Sequence, residues 1–181
     1  MSAVQRWSVA AAVAASLAGA WLYLYAGRPV YEDGESRFPD VYIEQPRWQL
    51  FDAAGHLGRQ LRARRLEQWP GEPGPRLLQP DLEITDRRQQ RWLASASHGW
   101  IAADRASLLL EGDVRLRREN EKQGPVVQTQ QLRIDGKGDL IETDQPVLLL
   151  SANWHFTASG LHAELGSQRL QLLGNVRGTH D

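Results

Sequence analysis

The sequence predicts an all-β domain of repeated antiparallel strand pairs, preceded by one N-terminal transmembrane helix. Three observations predict this class: an uncharged apolar segment near the N-terminus, short alternating apolar and polar runs beyond residue 38, and a pattern that recurs about every 30 residues. Short alternation bounded by Gly, Pro, Asn and Asp is typical of strands, and no apolar stripe of helical period and length follows the first segment. We therefore expect a helix, a short tether and a β-domain, in that order.

The uncharged segment Trp7–Ala26 has the length of a membrane-spanning helix. At about 1.5 Å per residue it would span roughly 30 Å, the thickness of the hydrocarbon core of a bilayer. Aromatic residues lie at both of its ends, where interfacial side chains are enriched, and Arg6 precedes it. The segment predicts a single-pass helix with residues 1–6 in the cytoplasm, and the turn-rich residues 27–37 predict a tether.

A cleaved signal peptide is the competing interpretation of the same segment. Ala18–Ala20 fits an A-x-A cleavage site, and Arg6 fits a basic n-region. Against cleavage, the apolar run continues through Trp21–Tyr25, which a mature soluble protein has no reason to expose. Both interpretations place residues 38–181 across the membrane.

The soluble part repeats. Leu110–Arg115 is similar to Leu172–Arg177, and two Gln-Pro segments, Leu78–Leu82 and Thr143–Val147, occupy equivalent places. The spacings between equivalent positions are 32, 33 and 29 residues, aligned on Leu82, Val114, Val147 and Val176. Hairpin turns are predicted at Ala54-Gly55, Gly71–Gly74, Asp135-Gly136 and Gly174-Asn175. Repeats of this kind stack on one another and leave open strand edges at both ends, which are templates for further pairing.

Alternation predicts which side chains face the interior of the stacked strands. These inward-facing residues are Trp48, Leu50, Leu61, Ala63, Leu78, Leu82, Ile84, Ile101, Ala103, Leu108, Leu110, Val114, Leu116, Leu132, Ile134, Ile141, Val147, Leu149, Leu161, Ala163, Leu170, Leu172 and Val176. A packed sandwich core and a splayed interior that admits acyl chains both fit this pattern, and the pattern alone does not separate them.

The composition excludes several chemistries. The chain has no cysteine, which excludes disulfides, thiolate metal sites and a cysteine nucleophile, and its net charge of −1 removes the electrostatic argument for nucleic-acid binding. The five histidines are scattered and no catalytic or phosphate-binding motif is present, so we expect no enzyme, no metal site and no cofactor.

Two clusters of arginine could either be solvated by water or bind a ligand. Arg59, Arg62, Arg64 and Arg65 form one cluster, and Arg115, Arg117 and Arg118 form the other. Arginine suits contact with phosphate or carboxylate groups of an anionic lipid, while solvated strand faces balanced by neighbouring acids explain the clusters equally well.

The order of these features resembles the LptC family of lipopolysaccharide-export proteins. The matching segments follow one another from the predicted helix to the C-terminus, and each is weak alone. They are Pro39–Glu44, Phe51–Leu57, Leu61–Ala63, Trp69-Pro70, Leu78–Leu82, Trp100–Ala106, Leu110–Val114, Glu142–Val147, Ser159–Leu161 and Leu172–Gly178.

The resemblance implies a periplasmic β-jellyroll with open edges, held at the inner membrane by the N-terminal helix. It implies a non-enzymatic component that receives lipopolysaccharide from the ABC transporter with its LptF and LptG subunits and passes it to periplasmic LptA. The acyl chains would contact the inward-facing residues given above, without Ile141 and Leu149. A membrane-anchored scaffold that joins β-sheets without carrying lipid stays open as an alternative, as does a cleaved periplasmic protein of the bridge type.

Carried onto this sequence, the resemblance implies two partner edges. Contacts with the bridge protein are expected at Arg169, Leu170, Gln171, Leu172, Leu173, Gly174, Asn175, Val176 and Arg177. Contacts with the transporter are expected at Tyr42, Ile43, Glu44, Trp48, Gln49, Leu50 and Phe51. Addition of a strand through main-chain hydrogen bonds would join the partners at both edges.

Overall fold

The domain is built from antiparallel strands that bend near their middle. The computed structural model describes residues 38–52, 54–86, 88–103, 107–119, 124–135, 138–167 and 169–180. The strands in these residues are β1 (Val41–Glu44), β2 (Arg47–Phe51), β3 (Leu57–Arg62), β4 (Arg65–Gln68), β5 (Arg76–Leu78), β6 (Asp81–Thr85), β7 (Arg91–Ser95), β8 (His98–Ile101), β9 (Ser107–Arg118), β10 (Val126–Asp135), β11 (Leu140–Thr143), β12 (Val147–Ser151), β13 (Trp154–Ala158), β14 (Gly160–Glu164), β15 (Arg169–Leu173) and β16 (Arg177–His180). No helix interrupts them within the described ranges, which confirms the predicted all-β class.

The longest strands show how the sheet folds over. The first half of β9 pairs with β8 and its second half pairs with β7, while β10 pairs with β12 and then with β11. The remaining fourteen strands are the halves of seven similar bent strands, β1/β2, β3/β4, β5/β6, β7/β8, β11/β12, β13/β14 and β15/β16. Each bent strand pairs with its neighbours in the chain, so the domain is one meander of nine strands folded along its midline.

The fold produces two layers. Layer I contains β1, β4, β5, β8, the first half of β9, the second half of β10, β11, β14 and β15. Layer II contains β2, β3, β6, β7, the other halves of β9 and β10, β12, β13 and β16. This open-edged arrangement is consistent with the β-jellyroll that the sequence resemblance implies.

The bends coincide with the repeated sequence segments. Gln45, Gln79, Asp113 and Asn175 all adopt positive φ, between 46° and 51°, at the junction between the two halves of a bent strand. Pro46, Pro80 and Pro146 lie at three of the junctions, where a residue without a ladder N–H is tolerated. The repeat that the sequence predicts is therefore a repeat of bends.

The predicted turns divide into two kinds. Ala54-Gly55 joins β2 to β3 and Gly71–Gly74 joins β4 to β5, as predicted; β10 and β11, on either side of the predicted turn at Asp135-Gly136, also pair, although Gly136 lies outside the described residues. The predicted hairpin turn at Gly174-Asn175 is wrong. Because β15 pairs with β14 and β16 pairs with β13, these two residues form a bend within one long strand. Residues that tolerate positive φ suit both a hairpin and a bend, and the local sequence does not distinguish them.

The core lies between the layers. Leu110, Leu132, Ile141 and Leu161 are 0% exposed, and they belong to four successive strands of layer I, β9, β10, β11 and β14. Layer II contributes Val114 and other inward side chains that alternate with polar outward ones. Complete burial of a leucine or isoleucine stabilises a fold by about 1.5–3 kcal/mol, so these four side chains contribute strongly to the stability of the stack.

Two residues of the predicted interior set do not lie on the inner face of a strand. Leu77 is 1% exposed on the inner face, so the next residue along β5, Leu78, lies on the outer face, where it pairs with Arg65 and His98. The run Leu77-Leu78 offers two phases of alternation, and only the tertiary packing selects one. Ala103 lies in an exposed turn after β8.

Three further residues of the set are on inner faces but remain exposed. Leu50 and Leu170 lie on edge strands and are 50% and 40% exposed, and Val176 lies at the bend between β15 and β16 and is 50% exposed.

The described residues contain no helix long and apolar enough to cross a membrane. The predicted span Trp7–Ala26 and tether 27–37 lie outside the described residues, so both stay predictions.

Candidate functional site

A cavity of about 740 Å³ lies between the two layers in the N-terminal half of the stack. Its walls are chiefly apolar side chains from both layers, with few polar groups among them. The lining residues are Val41, Trp48, Leu50, Arg59, Leu61, Leu66, Gln68, Pro73, Gly74, Pro75, Leu82, Ile101, Ala102, Ala103, Ser107, Leu108, Ile134, Asp135 and Gly138. A concave, mostly apolar space with a few polar groups is the usual form of a small-molecule or lipid site.

The interior changes along the stack. Beside the cavity, Trp48 and Leu61 are only partly buried and pack against the core, whereas Leu132, Ile141 and Leu161 further along are 0% exposed. The two layers are thus separated in the first part of the meander and closed on each other in the middle. A ligand that enters this conformation would occupy the N-terminal half first.

The turn between β4 and β5 forms one wall of the cavity. Pro73, Gly74 and Pro75 line it, and the backbone N–H of Ile101 donates to the carbonyl oxygen of Pro75 at 3.1 Å. A Cβ atom on Gly74 would lie 1.9 Å from the carbonyl oxygen of Ile101. The turn therefore approaches β8 so closely that only glycine fits.

Gly74→Ala should destabilise the domain by about 1–3 kcal/mol, because the added methyl group forces the turn away from β8. Urea unfolding followed by circular dichroism measures this change. Gly58→Ala is the matched control, since a Cβ there meets nothing closer than 3.6 Å. Equal stability of the two variants would show that the turn moves freely and is no fixed wall.

Eight of the predicted interior residues line this cavity, namely Trp48, Leu50, Leu61, Leu82, Ile101, Ala103, Leu108 and Ile134. The others lie in the closed part of the interior, at the C-terminal edge or, for Leu78, on the outer face. Sequence reasoning missed Val41 and Leu66, although both alternate with polar residues in the runs Val41–Glu44 and Arg65–Gln68. It also missed the Pro73–Pro75 wall, which no strand pattern indicates.

The N-terminal edge consists of β1 and β2, each of which has a strand on one side only, β4 and β3 respectively. Its inner-face side chains Val41, Ile43 and Leu50 are exposed, although alternation directs them toward the interior. On the outer face, Tyr42 Oη donates to Glu44 Oε1 at 2.9 Å, and this hydrogen bond raises the pKa of Tyr42. The edge thus presents an apolar inner face to any strand added there.

The C-terminal edge consists of β15 and β16, which pair only with β14 and β13. Leu170 and Val176 remain exposed there, whereas Leu172 is partly buried against the core. On β13, Trp154 stacks on Phe156 at 5.8 Å and meets the ring of His180 of β16 edge-on at 4.5 Å. The inner face of this edge is therefore apolar and aromatic.

The arginine clusters separate into different faces. Arg62 pairs with Glu83 on the outer face and Arg65 pairs with Glu67 at 3.2 Å, so charge balance accounts for these two. Arg118 lies over the ring of Trp92 at 4.9 Å. Arg59 alone of the two clusters lines the cavity.

Among the described residues, no group of three His, Asp or Glu side chains is arranged to hold a metal ion.

The fold and the cavity define a class of protein: an open-edged, two-layer β-domain with an apolar groove between its layers. Residues 8–181 match the family described as lipopolysaccharide-assembly, LptC-related, and the chain belongs to this family. The family identification made from the sequence motifs is confirmed, and the chain is involved in lipopolysaccharide transport. This family is a transport component and generally non-enzymatic. No curated protein matches the chain.

Proposed function

We propose that this protein receives lipopolysaccharide from the inner-membrane ABC transporter, at its LptF and LptG subunits, and passes it to periplasmic LptA. The acyl chains would lie in the groove between the layers while the hydrophilic part stays outside. The observation that carries the proposal is the apolar cavity beside the N-terminal edge, in a chain of the LptC-related family. Exposure of an acyl chain to water would cost roughly 0.8 kcal/mol per CH₂ group, so an apolar groove removes the main barrier to moving a lipid from one membrane environment to another.

The two apolar edges support the direction of transfer. Strand addition at β1 and β2 would place the transporter's sheet beside the cavity, and addition at β15 and β16 would continue the interior into the bridge protein. The exposed inner-face residues Ile43, Leu50, Leu170 and Val176 would then be covered, because each lies where the next sheet continues. Both joints extend one interior rather than create a separate binding site.

The predicted N-terminal segment would hold this domain at the inner membrane. Residues 7–26 would span the bilayer with residues 1–6 in the cytoplasm, and residues 27–37 would connect the helix to a periplasmic domain of residues 38–181. An extended tether of this length reaches at most about 40 Å. The tether would therefore keep the domain attached to the membrane from which the transporter takes its lipid.

Photocrosslinking in cells tests the proposal. A photoreactive residue at Leu50 or Leu61, which line the cavity, should label lipopolysaccharide during export. The same residue at Arg115, which is exposed on the outer face of layer II, should give little labelling. Labelling from Arg115 and none from the cavity positions would overturn transport through the groove.

A scaffold that joins sheets without carrying lipid is the second candidate, and the closed middle of the interior favours it. Leu61→Asp separates the two functions, because it places a charge in the cavity on β3, which is not an edge strand. A scaffold requires export to continue in a Leu61→Asp strain in which the folded protein accumulates normally, whereas lipid transport through the groove requires export to stop.

A further inference from the structure

Arg59 occupies an unusual place for a charged side chain. It lies in β3 between Leu50 of β2 and Ile84 of β6 in the strand register, and Ile84 is 3% exposed on the inner face. Leu61, two residues along the same strand, also faces inward and lines the cavity. Arg59 is the only cationic residue among the described residues that line this cavity, and Asp135 is the only anionic one.

The surroundings hold the side chain across the opening between the layers. A Cβ atom at Gly138, after β10 in layer I, would lie 3.1 Å from Arg59 Cδ and 3.3 Å from Ile84 Cγ2. The missing side chain of Gly138, whose φ is +72°, leaves the space that the Arg59 stem occupies. The apolar stem of arginine thus packs on the cavity wall, an arrangement that keeps a guanidinium near the rim of an apolar site.

From this placement we infer that Arg59 selects amphiphiles with an anionic phosphate headgroup for the cavity. The inference rests on the proposed function, because it assigns a headgroup contact to the same groove. A chain buried among Trp48, Leu61 and Leu82 would leave its headgroup at the rim, where the guanidinium donates two parallel hydrogen bonds to phosphate oxygens. The apolar walls strengthen this charge interaction, since they exclude water from one side of it.

Asp135 lines the same cavity, and its Oδ1 accepts the backbone N–H of Leu140 at 3.0 Å, which ties this carboxylate to the turn after β10. A bound phosphate would add the apolar burial of its alkyl chain to its bidentate contact with Arg59. Arg62 does not take part, because it lies on the opposite face of the same strand and does not line the cavity.

The test uses the full chain in phosphatidylcholine nanodiscs with a photoreactive residue at Leu50. Trace radiolabelled hexadecyl phosphate or hexadecyl glucoside is added, and the ratio of their labelling yields is measured. Arg59→Gln should lower the phosphate-to-glucoside ratio by at least about tenfold, because it removes the charge that strengthens both hydrogen bonds to phosphate. Arg59→Lys should restore part of it, and Arg62→Gln on the outer face should leave it unchanged.

The outcomes separate this inference from the proposed function. An unchanged phosphate-to-glucoside labelling ratio in Arg59→Gln, or equal gains in labelling by both probes, overturns headgroup selection. Arg59 would then have only a structural role, in packing between the two layers. Hexadecanoate serves as a third probe and reports whether the preference extends to carboxylates. If hexadecanoate is labelled more strongly than hexadecyl phosphate, selection for phosphate is contradicted. Absence of labelling by every probe in the otherwise unsubstituted chain contradicts the groove itself.

Discussion

Leu110→Ala should lower the free energy of unfolding by about 3 kcal/mol. Leu110 is 0% exposed and lies in the register between Gly99 and Leu132, at the point where the two layers close. A Cβ on Gly99 would meet Leu110 Cδ2 at 3.5 Å, so the leucine fills the space that the glycine leaves. Its truncation leaves a cavity within the fully buried part of the core. Urea unfolding followed by circular dichroism measures the change.

Leu50→Ala is the matched control for this prediction. The same atoms are removed from a half-exposed leucine beside the open cavity, so the loss should stay below about 1 kcal/mol. The yield of lipid labelling from a photoreactive residue at Leu61 should show the reverse order. It should decrease more in Leu50→Ala than in Leu110→Ala, although Leu50→Ala loses less stability. Equal destabilisation of both variants would mean that the N-terminal half of the interior is closed as tightly as the middle.

Leu170→Lys should abolish the proposed association with LptA while the domain stays folded. Leu170 is exposed on the inner face of β15, at the edge where a bridging sheet would continue the interior. A lysine at this position would have to be buried in the apolar seam of the joined sheets, which costs enough to weaken binding more than tenfold. Inward-pointing charges on edge strands prevent further strand addition for this reason. Copurification of the two proteins from membranes measures the loss.

Gln171→Lys is the control on the same strand. Gln171 is the neighbouring residue and lies on the outer face of β15, paired with His162, so its substitution adds the same charge without entering the seam. Association should stay within about twofold of the unsubstituted chain. A similar loss in both variants would indicate that net charge, and not the continuity of the interior, controls the joint.

The strands and their repetition could be predicted from the sequence because both depend on local properties. Alternation identifies β6 and β9 directly, and the repeated segments around Leu78–Leu82 and Leu110–Arg115 mark two bends with their positive-φ residues. The wrong hairpin prediction at Gly174-Asn175 has the same origin as the correct prediction of the repeated segments. A bend and a hairpin need the same backbone conformation, and the difference lies in which strands pair across the sheet.

The cavity could not be predicted from the sequence, because it depends on how strands from two layers pack. Its volume results from the separation of two layers, and the close approach of Gly74 to Ile101 that forms one wall joins residues 27 positions apart. The phase of Leu77-Leu78 was ambiguous for a related reason, because both residues are apolar and only packing against Leu66 and Gly99 decides between them. The inner-edge residues could be predicted, but their exposure could be seen only once the edges were located.

The nine-strand meander also determines how the groove could change in length. Every bent strand pairs only with its neighbours in the chain, so the architecture resembles a linear array in which each unit depends on adjacent units alone. Duplication of two consecutive bent strands would lengthen the array by two strand spacings, about 9.6 Å, and leave every other pairing intact. The number of strands therefore sets the length of the groove. Tandem duplication could match that length to the hydrophobic length of a ligand without a new fold.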